Sequence, residues 1–180
     1  NQIGDESNEM GDVLSTIPWG NDPTGTELQV NQIASGLKHS CAHFTNGAVK
    51  CIGHNSFGEL GQQSSQSSYG KIPSELASSL SAINFTSYQA AAKSTITVKS
   101  NFSKFASNGD STCFIDNQKN VKCWGYNNKG QLGIGTNANW GDNPNEMGAF
   151  LPIVNLGTGT KVSQVFTGPS HSCAILEDKR

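Results

Sequence analysis

The chain has 180 residues, 34% of them hydrophobic and 14% charged, with 20 glycines and a formal net charge of −2. This suits one compact domain rich in turns, and no run approaches the ~18 apolar residues of a membrane span. The near-neutral charge, the singly scattered lysines and a lone terminal Arg180 leave no forked donors for phosphates or base edges, which argues against nucleic-acid binding.

From the start of the chain, Gly4-Asp5-Glu6-Ser7-Asn8-Glu9-Met10-Gly11 matches Gly141-Asp142-Asn143-Pro144-Asn145-Glu146-Met147-Gly148. Asp5, Glu6, Glu9, Asp12 and their counterparts Asp142 and Glu146 lack the loop spacing of a calcium hand. The segment is expected to be a connecting turn or short helical turn capped by Asp142 or Asn145. Each copy leads into a short apolar stretch, residues 14–20 and 151–157, and a degenerate copy occupies 80–86; all three read as strands. The sequence opens at Asn1, so any targeting segment is expected to have been removed or to lie outside it.

Next comes Val30-Asn31-Gln32-Ile33-Ala34-Ser35-Gly36-Leu37-Lys38-His39-Ser40-Cys41-Ala42. It aligns with Val162-Ser163-Gln164-Val165-Phe166-Thr167-Gly168-Pro169-Ser170-His171-Ser172-Cys173-Ala174. His39 and His171 hold one repeat position, two residues before a cysteine, and read as buried, hydrogen-bonded strand histidines rather than ligands or bases. His43 and His54 carry no assignment.

Cys41 opens an eleven-residue stretch closed by Val49-Lys50-Cys51, and Cys113 opens one of the same length closed by Val121-Lys122-Cys123. As a β-hairpin, the first centres on Asn46 and leaves Thr45-Asn46-Gly47 as a three-residue loop with glycine at the left-handed position. Cys41 then opposes Cys51, and the same construction about Gln118 opposes Cys113 to Cys123. Opposed residues of a non-hydrogen-bonded pair have Cα atoms roughly 4.5 Å apart, within disulfide range. The spacing lacks the short intervals of zinc knuckles, so two disulfides are expected, and with them an oxidising compartment. Cys173 begins a third copy and is left unpaired.

Each unit thus reads as four short strands: the L-x-x-[IV] stretch, one ending in Ser/Thr-Gly, the first cysteine strand and the V-K-C strand. The fold class is all-β, a partial or open propeller of about three four-stranded blades. The units run roughly 1–61, 62–133 and 134–180, the last incomplete. Trp124 follows Cys123 and faces the other side of its strand, which places it in the core between blades; Trp19 is read similarly. Asn84 and Asn101 head glycosylation sequons that give weak support for a secretory route. Gly133-Ile134-Gly135-Thr136-Asn137-Ala138 fits a dinucleotide pattern, but without a strand-to-helix context its glycines are turn residues.

Trp124-Gly125-Tyr126-Asn127-Asn128-Lys129-Gly130-Gln131-Leu132-Gly133, with its looser copy Ile52-Gly53-His54-Asn55-Ser56-Phe57-Gly58-Glu59-Leu60-Gly61 and the G-x-x-H-S-C-A string, resembles the repeat of the regulator of chromosome condensation family, whose members form β-propellers. The match fails at 62–79 and is weak from 87 to 101. The paired cysteines with G-D-x-x-N-E-M-G also resemble extracytoplasmic repeat proteins of bacteria and aquatic protists.

Fewer than three blades cannot close a ring, and an open stack exposes faces that need a cap or partner. No nucleophile, base and carboxylate constellation and no phosphate loop is found. The expected function is therefore a non-enzymatic interaction or structural subunit, secreted or in an organelle lumen such as the thylakoid lumen. Its partners would be protein subunits covering the open edges, with peripheral contact to a membrane complex such as a photosystem. No cofactor and no metal is assigned. The alternatives are an enzyme regulator, either exchange-factor-like or an inhibitor of a secreted hydrolase, and a carbohydrate-binding module using Tyr69 and Tyr126.

Overall fold

The computed structural model describes residues 12, 15–83, 85 and 104–178. Among the described residues nine strands form three antiparallel sheets. The first holds β1 (Val30–Ser35), β2 (His39–Phe44), β3 (Val49–His54) and the short β4 (Ser68–Tyr69); the second holds β5 (Lys104–Asn108), β6 (Ser111–Ile115) and β7 (Val121–Gly125); the third holds β8 (Val162–Thr167) and β9 (Ser172–Leu176). Strand order follows chain order within each sheet. This is the meander expected of a propeller blade, and it arises because each strand but the two-residue β4 is a run of five or six residues bounded by turn residues.

The tight hairpins set the register. Phe44 N–H donates to the Ala48 carbonyl at 2.9 Å, and Gly47 takes φ +86° in the loop between them. In the second sheet Asp116 N–H donates to the Asn120 carbonyl at 2.9 Å, and the left-handed position falls on Lys119, φ +68°. Asp116 Oδ1 accepts from the Gln118 and Asn120 N–H groups, an Asx-type brace that holds the turn without glycine. These turns place Cys41 opposite Cys51 and Cys113 opposite Cys123. Both pairs are disulfide-bonded, with Cα separations of 4.0 and 4.1 Å. Cys173 is unpaired and exposed.

Strand alternation sorts side chains to the two faces of each sheet. Cys41, Val49 and Cys51 face the second sheet, and meet Phe105, Phe114 and Trp124 coming the other way. On the opposite face of the second sheet, Cys113, Ile115, Val121 and Cys123 pack against Val162 and Val165 of the third. Trp124 is fully buried between sheets one and two, with its ring 5.9 Å from those of Phe105 and Phe114. Its indole N–H reaches the Glu59 carbonyl at 2.9 Å. Trp19 instead packs edge-on against Phe44 in a separate cluster on the outer face of the first sheet.

The L-x-x-[IV] stretches are not regular strands. Residues 15–20, 80–83 and 151–157 have no ladder; Leu80 and Leu151 are buried, and the second and third stretches each make one backbone bond to the preceding V-K-C strand. Ile83 N–H donates to Val49 O and Val154 N–H to Val121 O, both at 2.8 Å. The stretches at 80–83 and 151–157 are therefore straps on the outer edge of the previous sheet, rather than the first strands of their own. The rest of that edge is filled by β4 in the first sheet and by the single bridge from Gly125 to Trp140 in the second. The three sheets consequently have four, three and two strands. The first acidic segment lies outside the described residues except for Asp12, as do Asn84 and Asn101.

Candidate functional site

The repeat places the same polar anchors in each loop. Asn127 is buried; its amide donates to the Thr136 and Ala138 carbonyls at 2.8 Å, and its Oδ1 accepts from Leu132 N–H at 2.9 Å. Asn55 does the same with Ser64 O, Gln66 O and Leu60 N–H. The invariant part of W-G-x-N-x-x-G-Q-L-G is thus a loop wound around one amide. The position four beyond that asparagine closes the turn: Gln131 Oε1 accepts from Lys129 N–H and Glu59 Oε2 from Phe57 N–H.

Between sheets one and two lies a polar cluster. His39 is buried, as its position in the repeat implies, and its Nε2 sits 2.9 Å from Thr112 Oγ1 and 2.8 Å from Ser107 Oγ. Burial pulls its pKa down to about 4, against an opposing pull from Asp110. The ring lies over Gly36, where an added Cβ would meet His39 Cε1 at 2.2 Å. His171 lies over Gly168 in the same way, at 2.3 Å. The G-x-x-H string is therefore one steric unit, a glycine that makes room for an imidazole. His171 is exposed, contrary to expectation, because among the described residues no further sheet brings it a hydroxyl pair. The second unit has neither partner, with Asn108 and Ser111 in their places; Ser111 Oγ and Thr167 Oγ1 are both shielded and without a hydrogen bond.

His54 and Glu59 also meet here. The imidazole Nδ1 lies 2.6 Å from the carboxylate of Glu59, which is wholly buried. His54 opens onto a cleft of about 590 Å³ whose lining includes Lys38, His39, Ser67 and Tyr69. Tyr69 and Tyr126 are half-buried rather than exposed: Tyr69 OH donates to Ser64 Oγ, and Tyr126 packs 4.3 Å from Phe57.

The segment 141–148 is a turn, but neither Asp142 nor Asn145 caps a helix. The Glu146 carboxylate accepts from Gly141 and Asn143 N–H groups, and Asn145 itself takes φ +66°. The short 3-10 turn at Gly148–Phe150 begins at Met147 without a side-chain cap.

The third sheet presents an open face and an open edge. Phe166 and Ile175 are 50% and 39% exposed beside Cys173. A groove of about 270 Å³ runs along β9 over Val121, Cys123, Leu132 and Val154. It lies where the first two sheets carry a V-K-C strand, and among the described residues β9 pairs only with β8. Ile33 of β1 and Leu37 in the β1–β2 loop are 67% and 68% exposed.

Two models of the regulator of chromosome condensation (RCC1) repeat match the sequence, one at residues 121–175 and the other at 30–59 and 102–131. A comparison with curated proteins finds no significant match. Among solved structures the fold resembles yeast RCC1 (Prp20) in its crystal structure bound to Kap60, with a TM-score of 0.55 at 16% identity, over 87% of this chain and 32% of that one. It also resembles Prp20p from Saccharomyces cerevisiae, whose structure was described together with its binding to Gsp1p and histones: TM-score 0.54, 15% identity, 87% of this chain and 33% of that one. The chain thus spans about a third of the length of these two structures.

Proposed function

Because the chain belongs to the regulator of chromosome condensation repeat family and forms only part of a propeller, we propose that it is a non-enzymatic interaction or structural subunit whose partners are proteins covering its open sheet edges. The observation that carries this reading is the third sheet. Its outer strand has an unpaired edge among the described residues, next to an apolar groove and the exposed Phe166 and Ile175. An unpaired edge beside apolar side chains is where an extended segment adds as a further strand. The solved relatives point the same way, one being bound to Kap60 and the other described with its binding to Gsp1p and histones.

The finer reading is that the subunit works in an extracytoplasmic space, secreted or in an organelle lumen, as a peripheral member of a large complex such as a photosystem. The pairs Cys41–Cys51 and Cys113–Cys123 support an oxidising location, and in that setting Cys173 stays unpaired under the partner. The repeat units are taken as 1–61, 62–133 and 134–180. Covering material comes either from a separate protein or from further repeat units of a longer native chain.

Light scattering and circular dichroism of the isolated 180-residue chain test the central claim. Self-association of the folded chain through its open edges is the expected outcome; a folded, stable monomer that captures no protein from its native compartment would sink it. Non-reducing mass analysis of native material tests the rest, since a Cys41–Cys113 linkage overturns the hairpin pairing. Stimulated nucleotide release from a small GTPase would instead favour the exchange-factor alternative.

A further inference from the structure

Three side chains that depart from the repeat converge between the first two sheets. His54 stands where the second unit has Tyr126, Glu59 where it has Gln131, and Asp110 where the first and third units have Lys38 and Ser170. One potential ligand atom from each lies within 4.8 Å of the other two. We propose that His54, Glu59 and Asp110 form a binding site for one divalent transition-metal cation of the zinc class.

The loop does not need the charge on Glu59. Gln131 closes the equivalent turn with an amide oxygen, accepting the same type of backbone N–H bond that Glu59 Oε2 accepts from Phe57. A carboxylate in a fully buried position is costly unless compensated. His54 compensates only one group. Two carboxylates converge on one imidazole, and Asp110 Oδ1 remains shielded with no hydrogen-bond partner. A divalent ion bound by neutral His54 and both carboxylates balances the charge and occupies that orphaned oxygen.

The donor set selects the metal. An imidazole nitrogen with two carboxylate oxygens suits zinc and its first-row neighbours, whereas calcium and magnesium prefer all-oxygen shells. Bonds of about 2.0–2.1 Å in a tetrahedral site put ligand atoms roughly 3.3 Å apart. Binding therefore spreads the 2.6 Å His54–Glu59 contact and sets the Asp110 oxygen at the same spacing from both, while water takes the fourth position. His54 is part-exposed on the cleft described above, which gives the ion a way in.

The test uses the 180-residue chain carrying Cys173→Ser, so that the exposed thiol beside His171 cannot bind zinc. After metal removal by chelation, zinc chloride is titrated calorimetrically, and cobalt(II) is followed by visible absorption. One ion per chain is expected, weakened at least about tenfold by E59Q and by D110N, as loss of a ligand typically does, and unaffected by H171N. E59Q should keep its urea midpoint, because glutamine already serves in the other loop; if it does not, D110N decides. The proposal is overturned if no stoichiometric binding occurs, or if D110N and a folded E59Q bind as tightly as the parent.

Discussion

Among the described residues His39 carries the clearest pH dependence. Burial lowers its pKa from 6.5 to about 4, so the folded state holds it neutral. Its contribution to stability is fully present above pH 6.5 and is lost as the pH falls toward 4. Between pH 7 and 5 the protein should lose about 2 kcal/mol on this account, read as a drop in urea midpoint that is largely absent in His39→Gln. The glycine beneath it gives a second prediction. Ser111→His alone should destabilise the second unit, since Asn108 occupies the place Gly36 leaves free under its imidazole. Paired with Asn108→Gly, the new histidine should reach Thr167 and Ser172 as His39 reaches Ser107 and Thr112, recovering about 1 kcal/mol per hydrogen bond; chemical denaturation of the single and double variants separates the two outcomes. The histidine position was legible in the sequence because a residue fixed by the repeat has a repeated environment. His171 misled for the same reason: its environment is set by a neighbouring sheet, which the string G-x-x-H does not encode. Glu59 and Asp110 were hidden more deeply, since 51 residues separate them and only the packing of one sheet on the next brings them together. The signal at Glu59 was a carboxylate standing where the sister loop has an amide, and at Asp110 one standing where the other units have lysine and serine.

At the level of elements, the loops and hairpins are separate stabilising devices. Asn127→Ala would strip three hydrogen bonds from a buried loop and should cost about 2–4 kcal/mol, measured by thermal or urea unfolding, with Asn55→Ala similar. Lys119 holds a left-handed conformation in a turn where its sister has Gly47. Lys119→Gly should therefore stabilise by up to about 1 kcal/mol, checked against the small loss of its 3.6 Å pairing with Glu177. Removing the Cys113–Cys123 pair by double serine substitution should cost about 3 kcal/mol from the entropy of an eleven-residue loop. The strands around both hairpins could be read from sequence because turn geometry and alternation determine them locally. The L-x-x-[IV] stretches could not be placed, because an apolar tetrapeptide looks the same as a strand or as a strap. Only their single hydrogen bonds to Val49 and Val121 distinguish the two.

For the molecule as a whole, the open faces should be visible in solution. Phe166→Asp with Ile175→Asp should cut binding of anilinonaphthalene sulfonate, while shifting stability by no more than about 0.5 kcal/mol, as expected for exposed side chains. An unchanged dye signal would mean that these side chains do not form the apolar face. The straps at 80–83 and 151–157 bear on how such a stack is assembled over evolutionary time. Each lies inside one of the proposed repeat units yet ties to the sheet of the unit before it, so under that division the boundary between sequence copies does not coincide with the boundary between sheets in space. A duplication of the unit carries its own fastening to the copy upstream. Lengthening or shortening the chain by whole units thus preserves a fitted joint at every junction, and a fragment excised at the sequence boundary would leave one sheet unlatched. Grafts between such proteins should hold best when cut after the strap.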